Sequence, residues 1–239
     1  MKTIYLLLSG TIILFFLTTS CVDNFVVHGN GIEDTEARIT TEFKNVLSSG
    51  AFDVHITNGN EYEVVVRAES NIIPYIETAV SGNTLYIETR GLHNLKNRLP
   101  MEIFITSPRL EGVKLSGSGE ITTDYFQSDN FNISISGSGN VAAAVETDKV
   151  ISNISGSGKL LLSGTANDAR FEISGSGDID AFDLSLKNCS AKISGSGNMW
   201  INASEFIEAF ISGSGNIFYS GNPVIESHTS GSGDLIHMN

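Results

Sequence analysis

The groups in this 239-residue chain that could do covalent or acid–base chemistry are few and scattered. Its five histidines (His28, His55, His93, His228, His237) show no metal-ligand spacing. A nucleophilic thiol needs a histidine partner and an electropositive setting. Cys189 instead sits in an alternation with Leu184, Leu186, Ala191 and Ile193, which reads as a small buried hydrophobe. The densest carboxylates, Asp178, Asp180 and Asp183, are the best local candidates for the acid pair of a glycosidase or the base of a lyase. Trp200, Phe218 and Tyr219 are the candidates near the repeats for the aromatic lining of a sugar groove. The run Gly175-Ser176-Gly177-Asp178-Ile179-Asp180 has the look of a glycine-rich calcium repeat. That motif needs consecutive nine-residue copies with an aspartate in each, and here the equivalent positions hold Lys159, Asn140, Asn198 and Asn216. The charge balance, 14 Lys+Arg against 27 Asp+Glu, gives a net charge of −13. Phosphate binding needs clustered cations, so this balance argues against nucleic acid. The same field repels acidic glycans. The sequence therefore predicts no catalytic residue, no cofactor and no metal site.

One cysteine has a chemical role of another kind. Residues 1–20 place Lys2 before an apolar stretch, Ile4 to Leu17, and small residues before Cys21, which is a secretory signal layout. The stretch is shorter than the ~20 residues needed to span a bilayer as a helix. Leu17-Thr18-Thr19-Ser20-Cys21 resembles a bacterial lipobox, with Ser20 where Ala or Gly is usual. That resemblance implies cleavage before Cys21, lipidation of its thiol and acylation of its amine. Several chains on one residue give stable anchoring where one would be marginal. Residues 21–40 lack sustained periodicity and carry Gly29, Asn30 and Gly31, so they are expected to form a tether.

The dominant feature is a repeat. Ser-Gly-Ser-Gly begins at Ser116, Ser136, Ser155, Ser174, Ser194, Ser212 and Ser230, at intervals of 18 to 20 residues. Fourteen of the 24 glycines lie in these boxes. A period near 20 marks a solenoid. An apolar residue precedes each of the first six boxes (Leu115, Ile135, Ile154, Ile173, Ile193, Ile211) and Thr229 precedes the last. A polar residue follows each box, then an apolar one, as in Asn140-Val141 and Asp178-Ile179. Period two is the strand signature. The segments between boxes are too short for a crossover helix plus another strand and suit one or two short strands and turns. Stacked coils put each box about 4.8 Å above the last. The expected fold is an all-β, right-handed parallel β-helix of about 18–20 residues per coil. Mid-strand glycine is costly and needs a steric reason. Approach to the opposite wall suits the Gly137-type positions, with a corner at φ > 0 the alternative for Gly139-type ones.

Before the repeat, Ala51–Ile56, Glu63–Val66, Leu85–Glu88 and Met101–Ile105 read as strands, and Asn71–Ile76 as a short helical turn. No composition break precedes Ser116. The expected organisation is a signal peptide over 1–20, a tether over 21–40 and one β-helix domain over 41–239. Within that domain, 41–115 forms degenerate coils and 116–239 holds the seven repeats.

The serines form the most distinctive predicted surface. In this reading Ser116, Ser118, Ser136, Ser138, Ser155, Ser157, Ser174, Ser176, Ser194, Ser196, Ser212 and Ser214 share one face. Serines within a box lie about 7 Å apart and rungs about 4.8 Å apart, giving a flat hydroxyl array about 29 Å long over seven rungs. Such an array could bind carbohydrate, order water or pack against another copy. The plain alternative is that serine is a small, soluble residue that tolerates tight turns. Ice binding is disfavoured, because such faces usually need the methyl of threonine.

The Phe43…Val46…Gly50-Ala51-Phe52-Asp53-Val54 opening, the Gly82-Asn83-Thr84-Leu85-Tyr86-Ile87 segment and the ladder of boxes together resemble the head GIN domain family. That family is described as auto-transporter adhesins and is otherwise a domain of unknown function. The resemblance implies a right-handed β-helix, export in Bacteroidetes-like bacteria and an adhesin role, with no catalytic residues to carry over. No translocator barrel follows the seventh box, so self-export is not implied. The expectation is a lipid-anchored, non-enzymatic, adhesin-like module of the cell envelope, an outer-membrane lipoprotein facing the periplasm or the outside. Its partners would be the membrane through the anchor, a glycan or protein ligand, and a second copy of itself. The competing expectation is a carbohydrate-active enzyme, a polysaccharide lyase or hydrolase, on the same β-helix.

Overall fold

The computed structural model describes residues 25–238. The signal segment and Cys21 lie outside the described residues. The first part holds β1 (Val26–His28), β2 (Glu33–Arg38), β3 (Asn45–Gly50), β4 (Asp53–Asn58) and β5 (Glu63–Glu69). A 3₁₀ turn at Ile73–Tyr75, set by Pro74 near its start, leads to β6 (Ile76–Ser81), β7 (Thr84–Thr89), β8 (Asn94–Lys96), β9 (Glu102–Ser107) and β10 (Gly112–Gly117). The repeat region holds β11 (Glu120–Gly137), β12 (Asn140–Gly156), β13 (Lys159–Gly175), β14 (Asp178–Gly195) and β15 (Met199–Gly213). The last coil is β16 (Ile217–Ser220), β17 (Val224–Gly231) and β18 (Leu235–His237).

The repeats stack as a parallel β-solenoid. Each long strand pairs in parallel with the next, and the boxes align residue for residue: Ser116 on Ser136, Ser136 on Ser155, Ser155 on Ser174, Ser174 on Ser194, Ser194 on Ser212 and Ser212 on Ser230. Where short strands and turns were expected between boxes, β11 to β15 run nearly from box to box, for 15 to 18 residues, with register shifts such as that between Thr122 and Tyr125. Inward columns are apolar. Ile135, Ile154, Ile173, Ile193 and Ile211 stack in one, and all are buried. The buried side chains form a single cluster from Phe43 to Ile217, and hydrophobic burial of this kind is the main force holding coil on coil.

The glycines work differently from expectation. The first glycine of every box takes a positive φ, between +129° and +151°, and the chain bends at the serine that follows. These Gly137-type positions are therefore the corner. The Gly139-type positions lie against a neighbour, but that neighbour is the rung below rather than the opposite wall. A Cβ on Gly139 would sit 2.4 Å from the Gly119 carbonyl oxygen and 2.6 Å from a Leu115 methyl. The cause is a shared hydrogen bond. Ser138 and Gly139 both donate their N–H to the Gly117 carbonyl, at 3.0 Å each, and the pattern recurs at Gly156, Gly175, Gly195 and Gly213. Drawing two donors onto one acceptor brings the backbones too close for any side chain.

The coil stack begins earlier than the boxes. Gly117 pairs with Gly50 of β3, and β11 starts on β4, so Ser49-Gly50-Ala51-Phe52 is an eighth, degenerate box. Below it β7 and β9 pair in parallel with β3 and β4. Antiparallel strands then cover this end: β6 on β7, β5 on β9 and β2 on β5. Not all of the region expected as degenerate coils is coil.

Residues 26–38, expected as tether, form β1 against β8 and β2 against β5. The physical reason is Glu69. Its fully buried carboxylate accepts backbone N–H bonds from Gly31 (2.6 Å), Arg98 (2.8 Å) and Leu99 (3.4 Å), clasping the N-terminal segment to the cap. Asn71 adds a bond to the His28 carbonyl at 2.8 Å. Such long-range contacts carry no local periodicity.

Candidate functional site

The box corner places the predicted serines on an outer edge of the coil. Serines of the Ser136 type end one wall, those of the Ser138 type sit at the bend, and the positive-φ glycine separates them. Eleven of the twelve are exposed and Ser116 is half-buried. The two columns thus form a ridge folded over a corner, where a flat wall was expected. With Ser49 and Ser230 the first column spans eight rungs in register.

On the wall beside this ridge, the outward column two residues earlier reads Lys114, Ser134, Asn153, Glu172, Lys192, Phe210 and His228. Toward its C-terminal end the wall is concave. A groove of about 690 Å³ is lined by Arg170, Lys192, Glu208, Phe210, Ser212 and His228. The Phe210 and His228 rings stack at 5.1 Å and 15°, and Ser190 donates to Glu208 at 3.1 Å. A second open groove, of about 720 Å³, lies on strands away from the boxes and is lined by Gln127, Asp129, Glu146, Thr165, Asn167 and Lys187. At its edge the Tyr125 hydroxyl donates to Glu146, which raises the tyrosine pKa and lowers that of the carboxylate. Nothing in the sequence pointed to either groove, because concavity arises from the stacking of unlike residues in adjacent rungs.

Of the three carboxylates singled out for acid–base work, Asp178 and Asp180 hold backbone N–H groups and Asp183 is exposed. Asp178 Oδ1 accepts the Asn198 backbone N–H at 2.9 Å, Asn198 Oδ1 accepts that of Asn216 at 3.0 Å, and Asn216 Oδ1 accepts that of Asp234 at 2.9 Å. From Asp178 onward the column after the box is therefore a ladder, in which Asp178, Asn198 and Asn216 each tie their rung to the next. Asp180 Oδ1 caps the Phe182 N–H at 3.4 Å. Trp200 stacks on Phe218 at 5.3 Å and 13°, which makes the pair another ladder. Among the described residues no group of three His, Cys, Asp or Glu could hold a metal ion. Cys189 is buried, and burial pushes its thiol pKa well up, as a small core residue requires.

Residues 42–223 match the family model "putative auto-transporter adhesin, head GIN domain". The chain belongs to this family. Solved structures share the fold of this chain. A putative adhesin from Bacteroides fragilis is 27% identical, with a TM-score of 0.83 over 89% of this chain and all of that one. A putative lipid binding protein from Parabacteroides distasonis is 23% identical, with a TM-score of 0.76 over 90% of this chain and all of the other. A putative adhesin from Parabacteroides merdae is 22% identical, with a TM-score of 0.72 over 90% and 100% of the two chains. No curated protein sequence matches. The family points to an adhesin-like module of the cell envelope or exterior, and none of these solved structures is described as an enzyme. Among the described residues no helix is long and apolar enough to cross a membrane.

Proposed function

We propose that this head GIN protein is an exported, non-enzymatic adhesin, anchored in the outer membrane through acylated Cys21, that binds uncharged carbohydrate along its serine ridge. One observation carries the reading: hydroxyls recur at every rung of one outer edge, beside a groove holding a stacked aromatic pair. Sugars are recognised by hydrogen bonds to hydroxyls and by packing of their C–H faces on aromatic rings, and this edge offers both. Each rung contributes a weak contact, and a chain of sugars engages several at once. The net charge of −13 disfavours acidic glycans. The lyase or hydrolase alternative is disfavoured by the commitment of Asp178 to the inter-rung ladder.

The test is a glycan array probed with the purified protein, alongside fractionation and protease shaving of cells expressing the parent and C21S. The proposal expects neutral oligosaccharides among the hits and release of C21S from the membrane fraction. Binding confined to acidic glycans, glycan cleavage, or unchanged membrane retention of C21S would count against it.

A further inference from the structure

The two ends of the solenoid are finished differently. At the N-terminal end, β2 is an outer edge strand carrying Glu33, Asp34, Glu36 and Arg38, the charge pattern with which proteins blunt an edge against pairing. At the C-terminal end the last coil is open. All eight residues of β17 are exposed, among the described residues the strand pairs only with β15, and no proline or bulge interrupts it. Half of its backbone N–H and C=O groups accordingly lack a strand partner. Three side-chain stacks also terminate here: Phe210 on His228, Tyr219 on His237, and Trp200 on Phe218 followed by Ile236. Val224 is 68% exposed beside them.

The sequence of β17 is complementary to itself. Antiparallel pairing about Ser227 sets Glu226 opposite His228 of the other copy, twice, once on each side of the dyad. The same register sets Ile225 opposite Thr229 and keeps inward-facing residues facing inward, because partners across an antiparallel pair share a face. Shifting the dyad by one residue loses both Glu–His pairs. Within one chain Glu226 and His228 already hydrogen-bond at 3.2 Å, so the pairing repeats that contact between copies.

We infer that β17 is a docking edge for a second copy of this chain, joined tail to tail by antiparallel strand addition about Ser227. The inference rests on the exposed edge of β17 and stands whether or not sugar binds, although the outward His228 also lines the groove of the carbohydrate reading. It is tested on the chain carrying C21S, purified after export, by sedimentation velocity and light scattering across a concentration series. The parent should dimerise. H228E sets a carboxylate opposite Glu226 at each crossing and should weaken the dimer on the order of tenfold, while the monomer still unfolds cooperatively on heating. The exchange E226H/H228E restores both Glu–His pairs and should restore the dimer. S227C should form an intermolecular disulfide, since the two copies of that residue meet on the dyad. A parent monomeric at every concentration, a dimer insensitive to H228E, or S227C without a cross-link would overturn the inference, whether the edge is free or meets another partner.

Discussion

At the residue scale the fold depends on what glycine lacks. A Cβ on Gly158 would lie 2.4 Å from the Gly139 carbonyl oxygen and 2.6 Å from an Ile135 methyl, both in the rung below. G158A should therefore destabilise by about 1–3 kcal/mol through overpacking, whereas S157A, one residue away and exposed, should stay within about 0.5 kcal/mol. Thermal or denaturant unfolding of the two variants reads the contrast directly. Glu69 is the other residue on which much rests. Burial works to raise its carboxyl pKa, but the N–H groups of Arg98, Gly31 and Leu99, together with the Arg98 charge, outweigh that and hold it below the ordinary carboxylate range. A group depressed in the folded state stabilises fully above its unfolded pKa, about 4.3, and loses that contribution as pH falls through its folded value. E69Q should thus melt below the parent at pH 7, with the gap narrowing as the pH drops below about 4.3. A gap constant with pH would show that shape rather than charge matters there.

At the element scale, Phe52 occupies the position that glycine holds in the seven boxes above it. It is fully buried and closes the foot of the glycine column, its ring 2.9 Å from where a Cβ of Gly50 would be. F52A should open a cavity at this junction between cap and coils and cost about 3–5 kcal/mol in unfolding free energy. The box strands, their parity and their stacking were legible in the sequence, because a column repeated every 18 to 20 residues exposes its own inward and outward faces. The eighth box was not legible, since only Ser49 and Gly50 survive of its four residues and the interval to Ser116 is far longer than one coil. The roles of the two glycines were exchanged in the reading, because alternation gives the face of a residue and not its φ. The antiparallel cap escaped too. Its strands are joined by contacts such as Glu69 to Gly31, which leave no periodic trace.

At the scale of the whole molecule, the head GIN chain is a straight series of equivalent rungs with a sealed N-terminal end and an open C-terminal edge. Side-chain stacks run along its walls, and the Asp178–Asn198–Asn216–Asp234 ladder ties the last coils together. In such quasi-one-dimensional proteins stability and recognition are both sums over neighbours. The serine columns were legible from residue type and spacing, though as a flat face and not as a ridge, whereas the adjoining groove depends on Phe210 and His228 meeting across rungs, which register alone decides. The most direct test of the account is a titration of a neutral oligosaccharide identified on the array against a series in which serines are replaced rung by rung, S136A, then S155A, S174A and S194A added in turn. Contacts summed along the ridge predict a graded loss of affinity, a similar factor at each step, with unfolding unchanged. Affinity that stays constant through all four replacements would contradict it.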